Sequence, residues 1–177
     1  MESVIRFWFE ELEPKQHWVK DESLDNLIID RFTILHQAGT KGELWSWRKT
    51  AEGRLAEILI LDQFSRNMYR DTARSFAYDQ MALVLAQEAI AQGADKLLPV
   101  ERRTFLYMPF MHSESLLVHE QAVNLFDQSG MENNYQFELK HKKIIERFSR
   151  YPHRNQILNR SSTPEELVFL QEPGSSF

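Results

Sequence analysis

Ile58, Leu59, Ile60 and Leu61 form an unbroken apolar run in the middle of a segment that carries helix signals. Thr50 can cap its start, and the pattern predicts one long helix from Ala51 to about Ser65. A helix that is apolar on every side has no face to give to water, so it must lie at the centre of its domain. This requirement constrains the rest of the chain, which has to supply amphipathic elements that surround that helix.

The rest reads as such elements. Val4, Ile5, Trp8 and Leu12 mark a first helix that ends before Pro14. Leu24, Leu27, Ile28, Phe32 and Leu35 mark a second, with Asp21 or Ser23 as cap and Gly39 as its stop. Phe76 to Gln92 reads as a helix closed by Gly93. Pro99 is expected at the first position of the next, and Pro109 at its end. Ser113 should cap a helix running to Ser129-Gly130, and Asn133 or Asn134 should open one that stops before Pro152. Thr163-Pro164-Glu165-Glu166 combines a cap, a Pro at the first helical position and a Glu at the third. No stretch alternates apolar and polar residues with β-branched enrichment, so no strand is expected. The fold class is all-α, with roughly eight or nine helices joined by short loops.

Composition narrows the function classes. With 177 residues the chain reads as a single helical domain over 1–177, long enough to remove ~70% of its unfolded surface from water. Cysteine is absent, which excludes disulfides, thiolate metal sites and a Cys nucleophile. The charged N-terminus (Glu2, Arg6, Glu10, Glu11, Glu13) offers no apolar signal core. The apolar stretch from Thr104 to Ser113 falls well short of the ~20 residues of a spanning helix. A cytoplasmic protein without membrane contact is expected.

A weak internal repeat points to stacked helix pairs. Ile60-Leu61-Asp62-Gln63-Phe64-Ser65-Arg66, followed by Arg70, resembles Ile144-Ile145-Glu146-Arg147-Phe148-Ser149-Arg150, followed by Arg154. Phe105 lies 41 positions after Phe64 and 43 before Phe148, with a Pro four residues after both Phe105 and Phe148. Two helices fit each interval, the spacing of tetratricopeptide or HEAT-type units. The expected architecture is an array of stacked antiparallel helix pairs, tetratricopeptide-like and right-handed.

Three constellations could carry chemistry. The first joins two helix ends. One holds Asp62, Arg66, Asn67, Tyr69 and Arg70, the other Arg150, Tyr151, His153, Arg154 and Asn155. Stacking in register would bring both ends to one side. Arg forks bind carboxylate or phosphate through paired hydrogen bonds, although Arg at a helix C-terminus also serves orphan carbonyls. The second is His112-Ser113-Glu114, which reads either as a cap with an acid in the first turn or as an acid–base or metal pair with His119 further on. The third is Glu138-Leu139-Lys140-His141. A dimetal bundle needs two such Glu-x-x-His motifs, and His141 falls on the apolar stripe of Phe137, Ile144, Ile145 and Phe148, so a core histidine is expected. There is no Gly-rich phosphate loop, nucleophile elbow or His-Glu-x-x-His, so neither cofactor nor metal is expected.

Charge is uneven. Residues 138–160 hold seven Lys or Arg and two Glu, a net of +5 in a chain of net −5. Interleaved with Phe148, Tyr151 and His153, this segment could contact RNA, but the acidic remainder opposes binding to a polyanion.

Several motifs together resemble a known family. They are Trp18-x-Lys20-Asp21, Gly53-Arg54-Leu55-Ala56, Leu61-Asp62-Gln63-Phe64-x-Arg66-Asn67, Tyr107-Met108-Pro109-Phe110-Met111-His112-Ser113-Glu114, Pro152-His153-Arg154-Asn155 and Thr163-Pro164-Glu165-Glu166. The chain is similar along its whole length to the uncharacterised bacterial family called domain of unknown function 924. The resemblance implies a tetratricopeptide-like helical stack and carries no activity, substrate or cofactor. Ser65 stands where that family is expected to have Pro, and Ser149 where it is expected to have Gly.

The leading expectation is a binding protein. Its groove or loop edge would offer Asp62, Arg66, Asn67, Tyr69, Arg70, His112, Glu114, Arg150, His153, Arg154 and Asn155 to a small anion or a peptide carboxylate. The alternative is a metal-independent, hydrolase-like enzyme with His112 or His153 as general base. A third reading is RNA contact through residues 138–160.

Overall fold

A computed structural model describes residues 1–176, and among them the chain forms eight helices and no strand. α1 covers residues 2–11 and closes on a π turn, Phe7–Glu11. α2 is Glu22–Thr40, with the Asp21 carboxylate accepting from the amides of Ser23 and Leu24. α3 covers residues 51–68 and is capped by Thr50. α4 is Asp79–Ala91, α5 Val100–Met111, α6 Leu116–Phe126, α7 Glu132–Phe148 and α8 Pro164–Phe169. Both hydrogen bonds of a capping box at Thr163 and Glu166 hold the start of α8. No helix is long and apolar enough to cross a membrane.

α3 is the axle. It packs against α1, α2, α4 and α5, and every residue from Leu55 to Ser65 is buried. Consecutive helices from α3 to α7 pack each on the next, as their short connections dictate. Phe7, Phe32 and Phe64 meet around α3 with ring centroids 4.8–6.1 Å apart. A smaller cluster of Ile144, Ile145, Tyr151 and Phe169 joins α7, the following loop and α8.

Several local expectations shift. The helix expected from Phe76 starts at Asp79, the one expected to reach Ser129-Gly130 ends at Phe126, and the one expected from Asn133 or Asn134 starts at Glu132. Pro109 lies inside α5, which runs on to Met111. So near the helix end its missing N–H forfeits a single bond, and the helix survives. Pro99 is the cap rather than the first helical residue. α6 starts after Ser115, whose amide is held by the Ser113 hydroxyl. Gly39 sits within α2, where an added Cβ would come 3.2 Å from Ile60 Cγ2, so it serves packing rather than termination. The turn itself falls to Gly42, at φ +72°.

α3 also departs from regular geometry. Ile60–Phe64 forms a π turn between two α segments. An extra residue per turn swings the following side chains, and such bulges recur at functional positions. Here it buries Asp62 and Gln63 inside the protein.

Two buried histidines make the fold acid-sensitive. Burial, reinforced by Arg74, pushes His36 down to about 4, and burial pushes His141 down to about 3. The His36 ring nitrogen pairs with the Ser65 hydroxyl and the His141 ring nitrogen with the Phe137 carbonyl. Both folded values lie below the unfolded value of about 6.5. The unfolded chain therefore binds more protons, and stability is lost as pH falls through that value toward 4 and then 3. Each histidine should remove on the order of 2 kcal/mol between about pH 6.5 and 5. Denaturant unfolding across that range checks this. His141→Leu should fold and show a visibly shallower slope, and an unchanged slope would remove His141 from the account.

Candidate functional site

The π turn delivers Asp62 to a convergence of three further elements. Asp62 Oδ1 accepts from His112 Nδ1 at 2.7 Å, and Oδ2 accepts from Gln63 Nε2 at 2.6 Å. Arg66, one turn on, lies 3.1 Å from Asp62 Oδ1 and donates to the Asp62 carbonyl at 2.9 Å. Its guanidinium then forks onto Asp79 at 2.9 and 3.0 Å, at the first residue of α4. His112 caps the C-terminus of α5. Arg154, from the short 3-10 turn Pro152–Arg154, donates to the His112 carbonyl at 3.0 Å and reaches Asp79 at 3.4 Å. Its guanidinium lies over the rings of Phe76 and Tyr151, 4.5 and 4.6 Å from their centroids.

The charges follow from this geometry. Burial alone would raise Asp62, yet Arg66 and His112 beside it hold its carboxyl well below the usual carboxylate range. Burial, with Arg66 adding to it, lowers His112 despite the carboxylate. At neutral pH the pair is therefore an ionised Asp62 and a neutral His112. Arg154 is only 6% exposed, its Nε has no hydrogen-bond partner, and burial and Arg66 weaken its hold on its proton. Its positive charge is the least compensated in the cluster.

A cavity of about 500 Å³ opens beside these groups. Asp79, His112 and Arg154 supply polar walls with Ser113, Glu114 and Ser115, and Phe76, Leu83, Pro109 and Leu158 supply apolar ones. That volume falls in the range of small-molecule pockets. The turn that carries Ser113 and Glu114 is braced from behind. His119 Nε2 donates to the Ser113 carbonyl at 2.8 Å, and its Nδ1 lies 2.6 Å from Glu138 Oε1. Nε2 must carry a proton because it faces a carbonyl, so a second proton is shared between His119 and Glu138. Burial pushes Glu138 up, which suits that sharing. The Tyr151 hydroxyl donates to the Met111 carbonyl at 2.6 Å and closes the network.

The other candidates separate from this centre. Asn67 and Arg70 turn to Asp25 on α2, with Arg70 forked at 2.6 and 2.7 Å. Tyr69 lies beneath Arg74, 3.9 Å from guanidinium to ring centroid. Arg150 forks onto Glu166 at 2.6 and 2.8 Å, and Asn155 donates to the same carboxylate at 3.3 Å. Glu114 reaches the cavity, but its carboxylate accepts from the Tyr151 amide and from both forks of Arg160. His153 packs near Tyr151, 5.6 Å between centroids, and burial and Arg154 push it down to about 4. In the basic stretch 138–160, Lys142, Arg147, Arg150, Arg154 and Arg160 each pair with a carboxylate. His141 stays in the core. No group of three or more His, Asp or Glu among the described residues is arranged to hold a metal ion.

Sequence reasoning missed Asp79, Asp25 and Arg160. An acid in the first turn of a helix is routine, so Asp79 and Asp25 carried no distinguishing signal. Arg160 follows Asn159, which takes a left-handed φ of 53° that reverses the chain toward Glu114.

Residues 4–174 match the model of a family described as a bacterial protein of unknown function (DUF924). The chain is similar to a solved structure from Agrobacterium tumefaciens, titled as that of the protein of unknown function ATU0120. The two share 39% identity, 96% of each chain is covered and the TM-score is 0.92. No functionally curated protein matches the chain.

Proposed function

We propose that this chain, which belongs to the bacterial DUF924 family, binds a small anionic molecule in the cavity between α4 and the α5–α6 turn. Arg154 is the anion contact and His112 a neutral hydrogen-bonding partner. The surrounding fold reads as a tetratricopeptide-like stack whose helix ends frame the cavity. The observation that carries this reading is the state of Arg154. The other arginines of the two helix ends have their forks closed by Asp25, Asp79 and Glu166. Arg154 has one long contact to a carboxylate already taken by Arg66, and an Nε without a partner. A carboxylate or phosphate entering beside it gives that desolvated guanidinium an acceptor not shared with Arg66.

The test is thermal melting in glutarate and in inorganic phosphate, with sodium chloride at matched ionic strength as control. At a ligand concentration about 100 times Kd, binding adds ~2.7 kcal/mol, which raises Tm by about 5–10 °C in a chain of this size. Arg154→Gln should lower the baseline, because the stacking on Phe76 and Tyr151 is lost, and should abolish the anion-dependent rise. A rise that survives in Arg154→Gln would refute the assignment.

A further inference from the structure

Granting that anion-binding cavity, we infer that it is also a hydrolytic active site in which His112 is the general base that activates water against a small anionic ester. The tautomer is the starting point. Asp62 is completely buried, ionised, and bonded to His112 at Nδ1. A carboxylate can only accept, so Nδ1 carries the ring proton and Nε2 keeps its lone pair. No described residue hydrogen-bonds to that Nε2, and His112, with 13% of its side chain exposed, lines the cavity. The lone pair therefore faces whatever the cavity holds. The lowered proton affinity of His112 keeps it in the basic form at neutral pH.

The nucleophile is water. Among the described residues no hydroxyl is bonded to His112 Nε2, so none is set up as a nucleophile; the Ser113 hydroxyl oxygen accepts from the Ser115 amide at 3.2 Å instead of pairing with the histidine. About 500 Å³ holds a small ligand and a water together. In the reaction, Nε2 takes a proton from water as the water oxygen bonds to the ester carbonyl carbon. The carbonyl π pair moves onto its oxygen, giving a tetrahedral oxyanion. Collapse re-forms the carbonyl and breaks the carbon–oxygen bond to the alcohol, whose oxygen receives the proton from Nε2. A carboxylic acid and an alcohol leave, and His112 is again neutral. Asp62 stays ionised throughout and stabilises the transient imidazolium, so it is a positioning residue. Arg154 holds the free anionic group of the substrate. An ester suits this site better than an amide, because an alcohol oxygen needs less protonation to leave than an amine nitrogen.

The probe is the mono-4-nitrophenyl ester of glutaric acid, with release of 4-nitrophenol as the readout. Turnover should exceed that of imidazole at equal concentration. The rate should rise with pH through one deprotonation whose midpoint lies below the usual histidine value and then level off. His112→Gln should melt close to the parent and lose 10²–10⁴-fold in rate, as general bases do. Asp62→Asn leaves the histidine in place but removes the negative charge that stabilises its imidazolium, and should cost a comparable factor. If Asp62→Asn does not fold, nitrogen-15 NMR of the parent decides the tautomer, with protonated Nδ1 expected and protonated Nε2 refuting it. Parent turnover no greater than imidazole, or His112→Gln at the parent rate, overturns the hydrolytic role. If glutarate still raises Tm through Arg154 in that case, the binding cavity stands and only the hydrolysis falls. If glutarate has no effect either, both fall.

Discussion

Ile60→Asp will not yield a cooperatively melting protein. Ile60 is completely buried, opens the π turn of α3 and packs toward Gly39 of α2. A carboxylate there has two options. It can stay ionised next to nothing that pairs with it and two residues from the ionised Asp62, or it can take a proton and remain a buried polar group. Either course costs several kcal/mol, against a total stability of ~5–15 kcal/mol. Ile60→Val is the control, because it removes one methylene at about 0.5–1.5 kcal/mol and adds no polar atom. Circular dichroism melts and gel filtration of both variants decide the matter. A soluble Ile60→Asp protein with a sharp transition near that of Ile60→Val would show that α3 is not the centre of the fold.

That prediction rests on a run of four apolar residues, and the run explains which parts of the fold could be read in advance. Helix starts at Asp21, Thr50 and Thr163 are written in side-chain oxygens that bond the first amides, so their positions follow from local chemistry. Helix ends near Pro109 were less legible, because a proline breaks a helix only where several bonds depend on it. The π turn at Ile60–Phe64 left no local trace at all. Its extra residue is set by what Asp62 and Gln63 meet, namely His112 and Arg66, and a pattern of apolar spacing contains no such information. Ser149 is a similar case. It takes the left-handed conformation, φ 57°, that favours glycine, and the αL residue at the end of α7 lets the chain turn back toward Glu114.

The site was legible in its cations and obscure in its anions. Arg66 and Arg154 share one helix-end pattern, and the structure brings them to a common carboxylate. Arg70 and Arg150 share that pattern too, yet they turn to Asp25 and Glu166. Which arginine goes where depends on acids that lie 45, 13, 75 and 16 positions away in the chain, and only the folded arrangement selects among them. The same holds for the Asp62–His112 contact, which spans 50 positions. Arginine surplus at helix ends thus has two physical outcomes here. Most of it staples elements together through bidentate carboxylates, and the remainder, Arg154, is left facing a cavity.

Gly53→Ala reverses the usual sign of its substitution. Within a helix, alanine is ordinarily favoured over glycine by up to ~1 kcal/mol. At Gly53, the third residue of α3, an added Cβ would lie 1.9 Å from the Trp47 carbonyl oxygen, 2.8 Å from its carbon and 2.9 Å from Met1 Sδ. The methionine can move aside. The carbonyl cannot, unless the 3-10 turn Trp45–Lys49 shifts as a whole. That turn carries Arg48, whose fork grips the buried Glu57 with two hydrogen bonds of 2.7 Å. Displacing the turn loosens the fork and leaves a buried carboxylate without its cation, a change worth about 3–5 kcal/mol. Gly53→Ala should therefore lower Tm by about 6–20 °C for a chain of this size. Arg48→Met supplies the second arm of the argument. If the added methyl acts by dislodging Arg48, the double variant is less destabilised than the two single losses predict together, because the same contact cannot be lost twice. Strict additivity would place the damage elsewhere in the turn, and a Gly53→Ala protein that melts at or above the parent temperature would refute the close approach of Trp47 altogether.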